Sequence, residues 1–325
     1  MPVIAMRDAL NQALQEEMRR DPDVFIMGED IAVFEGSYKV TLNLLKEFGE
    51  KRVIDTPIAE EGFIGVGLGA AMMGLRPIVE IMTINFILVA MDMVVNHAAK
   101  THYMFGGEVR VPLTIRTPGG GGQQLTAQHS QSLEVMFAHV PGLKVVAPST
   151  PYDAKGMLKA AIRDDNPVMF IENITLYNTR GEVPEGEYLL PLDKADIKRP
   201  GKDITLIGHS KGAVLAMQAA EVLAGQGVDA EVLDLRSLRP LDRAAIIASV
   251  SKTGRAVIVE EGWSTYGISA EVSATIMEGA FDYLDAPVAR IGGKEVPMPY
   301  SKPLEMAAIP TVEEVVRVVH ETLGE

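Results

Sequence analysis

The chain has 325 residues, enough for two domains, with 47% hydrophobic and 23% charged residues, the profile of a globular protein with a large core. Its 44 acidic and 30 basic residues give a formal net charge of -14, which disfavours nucleic acid and anionic membranes as partners. Cysteine is absent, so disulfides, thiolate nucleophiles and Cys-ligated zinc are excluded, and a reducing cytoplasm is the expected compartment.

Met1 to Arg7 runs directly into a helical pattern, with no signal-peptide or transit-peptide pattern ahead of it. Met6, Leu10, Ala13, Leu14 and Met18 recur at helical spacing, and Asp21-Pro22 closes that helix. Residues 24–27 read as a short buried strand ending at Gly28, 40–48 as a helix and 52–55 as a strand. Gly62 to Met73 reads as a helix whose N-terminus carries Glu60 and Glu61, where acidic residues commonly favour the helix dipole. Gly62, Gly65 and Gly69 share one face of it. Each costs roughly 1 kcal/mol relative to alanine, which points to close approach by another subunit's helix.

Further strands are expected at 78–82, 111–115, 144–147 and 168–171, with helices at 86–102 and 152–162. The apolar stretch 77–95 is interrupted by Glu80, Asn85 and Asp92, which argues against a membrane span. Strands alternating with helices imply parallel βαβ units in a sheet covered on both faces. Residues 178–202 are rich in Pro, Gly and charge and read as a linker. A smaller α/β unit follows, with strands at 204–207, 230–235, 256–259 and 287–291. Its helices are expected at 213–224, 242–250, 268–279 and 312–323. The expected division is a first domain over 1–180, a linker over 181–202 and a second domain over 203–325.

Six histidines without a His-Glu-x-x-His pattern make a catalytic metal held by this chain alone improbable. The run Thr117-Pro118-Gly119-Gly120-Gly121-Gly122 resembles a phosphate loop only weakly, because no Lys-Ser/Thr follows it. It reads better as a loop at a strand's C-terminal end, where open α/β sheets bind ligands.

Several ordered motifs carry a more specific resemblance. Gly28-Glu29-Asp30, Ser37-Tyr38-Lys39-Val40, the segment from Asp55 to Glu60, Gly74-Leu75-Arg76-Pro77, the segment 103–107, Gln128-His129-Ser130-Gln131 and the segment 141–146 run through the first domain. Asp234-Leu235-Arg236, Pro240-Leu241-Asp242 and Lys252-Thr253-Gly254 continue it through the second. Together they resemble the E1 β subunit of thiamine-diphosphate-dependent 2-oxo acid dehydrogenases over nearly the whole chain. The resemblance implies two α/β domains: a thiamine-diphosphate-binding pyrimidine domain and a transketolase C-terminal-like domain, each a mostly parallel sheet flanked by helices.

It also implies an α2β2 heterotetramer, whose α subunit grips the diphosphate through Mg²⁺, and an E2 dihydrolipoyl acyltransferase partner. The Gly-Asp-Gly that opens the α-type diphosphate signature is absent here. By resemblance Glu60 is the carboxyl that hydrogen-bonds N1′ of the aminopyrimidine, favouring the imino tautomer that takes the proton from thiazolium C2. Glu61 is expected to point elsewhere. Phe86 and Met82 are expected at the pyrimidine ring, though both also suit ordinary core packing. His129 corresponds to an active-site histidine. Leu113, Ala161, Ile162, Asp164 and Asn166 correspond to a K⁺ site built largely from carbonyls; Asp164 to Pro167 also reads as a plain turn.

Glu260, Glu261 and the last helix are candidates for E2 docking. Ser37-Tyr38-Lys39-Val40 favours the pyruvate type, while the segment 103–107 is shared with acetoin relatives. A branched-chain or acetoin E1 β subunit is the rival within the class. A non-catalytic scaffold is the rival outside it, disfavoured by Glu60, Phe86 and His129 occurring together.

Overall fold

The computed structural model describes residues 1–324, which form two compact units. The first unites Met1–Gly119 with Met136–Leu192; the second unites Gly120–Val135 with the chain from Asp193 onward.

The first unit opens with β1 (Val3–Ala5), α1 (Met6–Arg20), β2 (Val24–Gly28), α2 (Leu44–Phe48), β3 (Val53–Asp55), α3 (Glu60–Met72) and β4 (Arg76–Glu80). A 3-10 turn (Phe86–Ala90) and a π stretch (Asp92–Ala98) lead into α4 (Ala99–Met104). Then come β5 (Thr114–Gly119), α5 (Glu134–Ala138, across the boundary between the units), β6 (Lys144–Val146), α6 (Pro151–Arg163), β7 (Val168–Asn173) and β8 (Arg180–Glu182). Six strands make a parallel sheet in the order β6-β7-β5-β4-β2-β3. β1 and β8 pair antiparallel beside it.

Val24, Ile26 and Met27 are all buried, as the near-continuous apolar run of a strand covered on both faces requires. Met6, Leu10, Leu14 and Met18 of α1 are at most 1% exposed, and burying each stabilises by about 1.5–3 kcal/mol. α6 starts at Pro151, with the Thr150 hydroxyl accepting from the Asp153 N–H at 3.1 Å. After β2 the chain builds β3 on one side of it and β4 on the other. That reversal of strand order leaves a crevice beyond the C-terminal end of β2.

The expected helix over 86–102 is helical throughout but changes its hydrogen-bond pattern twice, from 3-10 to π to α. β5 lies later than expected, because pairing with β7 continues from Thr114↔Val168 to Gly119↔Asn173 and draws the first glycine of the run into the strand. β4 ends at Glu80, two residues short of the expected strand end at Met82, and α2 keeps only the last part of the 40–48 pattern.

In the second unit the elements are β9 (Asp196–Arg199), β10 (Ile204–Gly208), α7 (Ser210–Ala224), β11 (Ala230–Asp234), β12 (Ser237–Arg239) and α8 (Arg243–Thr253). β13 (Ala256–Trp263), α9 (Ile268–Ala280), β14 (Ala289–Gly293), α10 (Lys302–Ala308) and α11 (Val312–Leu323) complete it. Its sheet runs β14-β13-β10-β11-β9; the first four strands are parallel and β9 is antiparallel. Ile204, Leu206, Val232, Val257 and Val259 form the core with Leu215, Ala219 and Leu223 of α7 and Val315 and Val319 of α11. The stretch 178–202 therefore carries two short strands, and β12 and α10 are elements the sequence pattern did not announce. Among the described residues no helix is long and apolar enough to cross a membrane.

Candidate active site

Gly28 ends β2 in register with Glu80, the last residue of β4. A Cβ on Gly28 would lie 2.5 Å from the Glu80 carbonyl oxygen, so only glycine allows the two strands this separation. Thr56 N–H donates to the Gly28 carbonyl at 2.9 Å, and Asp55 accepts from the N–H groups of Ala32 and Val33. These bonds pin the loops after β2 and β3 around the crevice.

Glu60 is the first residue of α3 and is 7% exposed, whereas Glu61 is exposed. The expected contrast between the two neighbours is therefore present in their burial. Glu29, directly after Gly28, is 6% exposed. Burial, with the Glu60 and Asp30 carboxylates adding to it, pushes the Glu29 carboxyl up to about 7. Glu29 Oε1 and Thr56 Oγ1 are buried without a hydrogen-bond partner in the chain. Sequence reading passed over Glu29, although an acid directly beyond a buried strand, at the sheet's C-terminal edge, was a readable signal.

A second group of buried charges lies at the ends of β4, β5 and β7. The Arg116 guanidinium, 1% exposed, donates to Glu80 and bridges to both oxygens of Glu172, and Tyr177 donates to Glu172. Burial raises the Glu80 carboxyl, and it raises the Tyr177 hydroxyl well above the ordinary range. Each of these groups meets an oppositely charged or hydrogen-bonding partner, so the cluster is a closed scaffold.

Met82 and Phe86 are both half-buried, on the turn after β4 and at the start of the 3-10 segment. Val66 of α3 is 61% and Met73 85% exposed, and a Cβ on Gly69 would meet nothing within 4 Å. That side of the helix is open. The opposite side is closed, where a Cβ on Gly67 would come within 2.6 Å of Val79.

The residues expected around potassium are brought together at the turn from α6 to β7. The carbonyls of Ile162 and Asp164 each accept from the Arg76 guanidinium at 3.0 Å, and Leu113 and Ala161 carbonyls accept backbone N–H groups. Asp164 also pairs with Lys144 and caps the Asn166 N–H. Two cations of the chain thus already face these oxygens. Among the described residues no cluster of three or more His, Asp or Glu is placed to hold a metal.

His129 belongs to the second unit and is half-buried on the loop after the glycines. Two carboxylates hold that loop by its backbone. Glu261 accepts from Gly121 N–H at 2.7 Å, and Glu305 of α10 accepts from Gly122 N–H at 2.9 Å and Gln124 N–H at 3.1 Å. Glu305 is fully buried, and its second oxygen also accepts from the Gln124 side chain at 3.2 Å. Glu260 is buried as well and caps α9 through the N–H groups of Ile268 and Ser269, so it cannot belong to an exposed docking face as expected. Glu134 in the same unit is pushed up to about 7 by burial, with the Glu261 and Glu260 carboxylates adding to it.

Residues 3–179 match the transketolase pyrimidine binding domain, and residues 193–315 match the transketolase C-terminal domain. Over 320 residues the chain is 53% identical to the pyruvate dehydrogenase E1 component subunit beta of Rhizobium meliloti (strain 1021), covering 98% of this chain and 70% of that one. It is 51% identical to the subunit of the same name from Rickettsia felis, covering 97% of both. A split-gene transketolase, described as an inactive beta4 tetramer, superposes with a TM-score of 0.82 at 22% identity over 99% of this chain and 98% of that one, which establishes the shared fold. The chain belongs to the transketolase-like family of pyruvate dehydrogenase E1 component β subunits.

Proposed function

We propose that the chain works in the cytoplasm as the β half of an α2β2 pyruvate dehydrogenase E1, decarboxylating pyruvate and passing the acetyl group to the lipoyl arm of an E2 acyltransferase. The observation that carries this reading is the buried Glu60 at the N-terminus of α3, beside the strand-order reversal. An aminopyrimidine fits what surrounds it. The ring needs a carboxyl at N1′, which Glu60 supplies, and its amino group needs an acceptor, a need met by the unpartnered Glu29 Oε1 or Thr56 Oγ1. Phe86 and Met82 offer half-buried apolar surface for its face.

When bound, thiamine diphosphate supplies the carbon nucleophile for the 2-oxo acid, with Mg²⁺ and the diphosphate held by the α subunit. Glu60 holds a proton at N1′, in a setting where burial keeps that hydrogen bond strong. His129 serves acyl transfer, because imidazole can give or take a proton near neutral pH. The open side of α3 around Val66, Gly69 and Met73 receives a helix of another subunit. A structural potassium ion at the turn after α6 would share the Ile162 and Asp164 carbonyls with Arg76.

Reconstitution tests the proposal. The purified chain with thiamine diphosphate and Mg²⁺ should not turn over pyruvate, and adding an α subunit should confer oxidative decarboxylation. Turnover by the chain alone, or none with any α partner, sinks it.

A further inference from the structure

The segment from Gly120 to Gln131 is a loop closed at its base, where the Gly120 N–H donates to the Gln131 carbonyl at 3.1 Å. Apolar burial does little to hold it, because Leu125 is its one large apolar side chain and is 38% exposed. Its backbone is also strained. Gln124 (φ 53°) and Thr126 (φ 61°) lie in the left-handed region, which a β-branched residue such as threonine rarely adopts. Residues persist there when the surrounding structure over-determines them.

Glu305 of α10 supplies that constraint. Among the described residues, every hydrogen bond of its side chain goes to this loop. Oε1 accepts from the Gly122 N–H at 2.9 Å and the Gln124 N–H at 3.1 Å. Oε2 accepts from the Gln124 N–H at 3.1 Å and from the Gln124 side chain at 3.2 Å. Glu172 and Glu17, also buried, are paired with Arg116 and Arg163, whereas no cation meets Glu305 among the described residues. A fully buried carboxylate is stable only while its bonds are made, so Glu305 and the loop hold each other in one geometry.

Both ends of this link are anchored. α10 is seated by the Lys294 N–H, which donates to the Ala308 carbonyl at 2.8 Å. On the other side the chain runs from Gln124 through Thr126, whose carbonyl accepts from the His129 N–H at 3.2 Å.

We propose that Glu305 is a positioning residue for His129: it fixes the loop at Gly122 and Gln124 and so sets where the imidazole is presented for acyl transfer. This rests on the reading of His129 as the group that serves that step. Glu305 acts through placement alone, and misplacing a reacting group by about 1 Å can cost on the order of 100-fold in rate.

In the enzyme assembled with an α subunit, Glu305→Gln keeps the size of the side chain but replaces one acceptor oxygen by a donor. Reductive acylation of a lipoyl domain should fall by about tenfold, while decarboxylation with an artificial electron acceptor stays within about twofold. A double-mutant cycle separates positioning from a general loss of structure. In a His129→Ala background Glu305→Gln should cost nothing further, since the group it positions is gone.

Gln124→Pro confines the change to the loop and keeps the test open should Glu305→Gln fail to fold. It removes the N–H that both Glu305 oxygens accept, and proline cannot adopt a φ of 53°. The same loss, with the same dependence on His129, is expected. Undiminished acyl transfer in either folded variant, equal losses in both half-reactions, or the same loss with and without His129 overturns the proposal. Failure of the underlying reading looks different: His129→Ala alone would leave acyl transfer unchanged.

Discussion

Both units bury glutamates at the edges of their sheets, and the two sets are treated differently. In the second unit, Glu260 and Glu305 meet backbone N–H groups at every oxygen, so each carboxylate fastens a helix start or a loop. In the first unit, Glu29 is buried under the influence of the Glu60 and Asp30 carboxylates, and one of its oxygens meets nothing in the chain. Burial alone therefore does not mark a site. A carboxylate whose hydrogen bonds are complete is architecture; one left incomplete beside a like charge has a task that the chain does not finish by itself.

The sharpest way to break this contrast is Glu60→Gln in the reconstituted enzyme. Deuterium exchange at cofactor C2 should slow by about 1,000-fold, while Glu61→Gln, on the exposed neighbour, should change it little. Equal exchange in the two variants would place the activating carboxyl elsewhere. Next in size is His129→Ala, which should lower acylation of the lipoyl domain by about 100-fold while decarboxylation with an artificial electron acceptor falls much less. Equal losses in both assays would assign His129 to an earlier step, and unchanged rates would leave it with a purely structural part.

On the architectural side, Glu305→Ala should destabilise the chain by about 3 kcal/mol in urea melts, since it strands several donors of the glycine loop. Amide exchange at Gly122 and Gln124 should quicken with it. A loss below the scatter of the melts would mean that the loop holds its shape without the carboxylate. The smallest effect belongs to potassium: replacing tetramethylammonium by K⁺ should raise the Tm by about 2 °C, and no rise would leave Arg76 as the cation that completes the turn.

Much of the first sheet was legible in the sequence, because its strands are short apolar runs bounded by Gly, Pro or acidic residues. Residues 24–28 and 144–146 are instances. Glu60 was expected to sit at a helix start, and its place as the first residue of α3, buried beside an exposed Glu61, agrees with that. β5 was less so, because Thr117-Pro118-Gly119 has the composition of a turn, while the ladder to β7 carries the strand through it. The switch from 3-10 to π to α between Phe86 and Met104 left no trace in the periodicity. The apolar spacing only says that the segment is helical, and the backbone pattern is settled by tertiary fit, such as Met93 lying 3.4 Å from where a Cβ on Gly65 would be. Glu305 was invisible for a different reason: it binds a loop 181–183 residues away, and α10 is too short to show a pattern of its own.

Gly28 has no side chain and performs no chemistry, yet it sets a dimension of the crevice. The distance between β2 and β4 at their mouth is fixed by an atom that is not there, because a methyl group would strike the Glu80 carbonyl. Alanine at this position would act as a wedge, and the residue it presses on is Glu80 at the end of the neighbouring strand. A mutational scan would score position 28 among the most sensitive in the chain, with a profile resembling that of a catalytic group. Sensitivity to substitution at such a position measures clearance rather than reactivity.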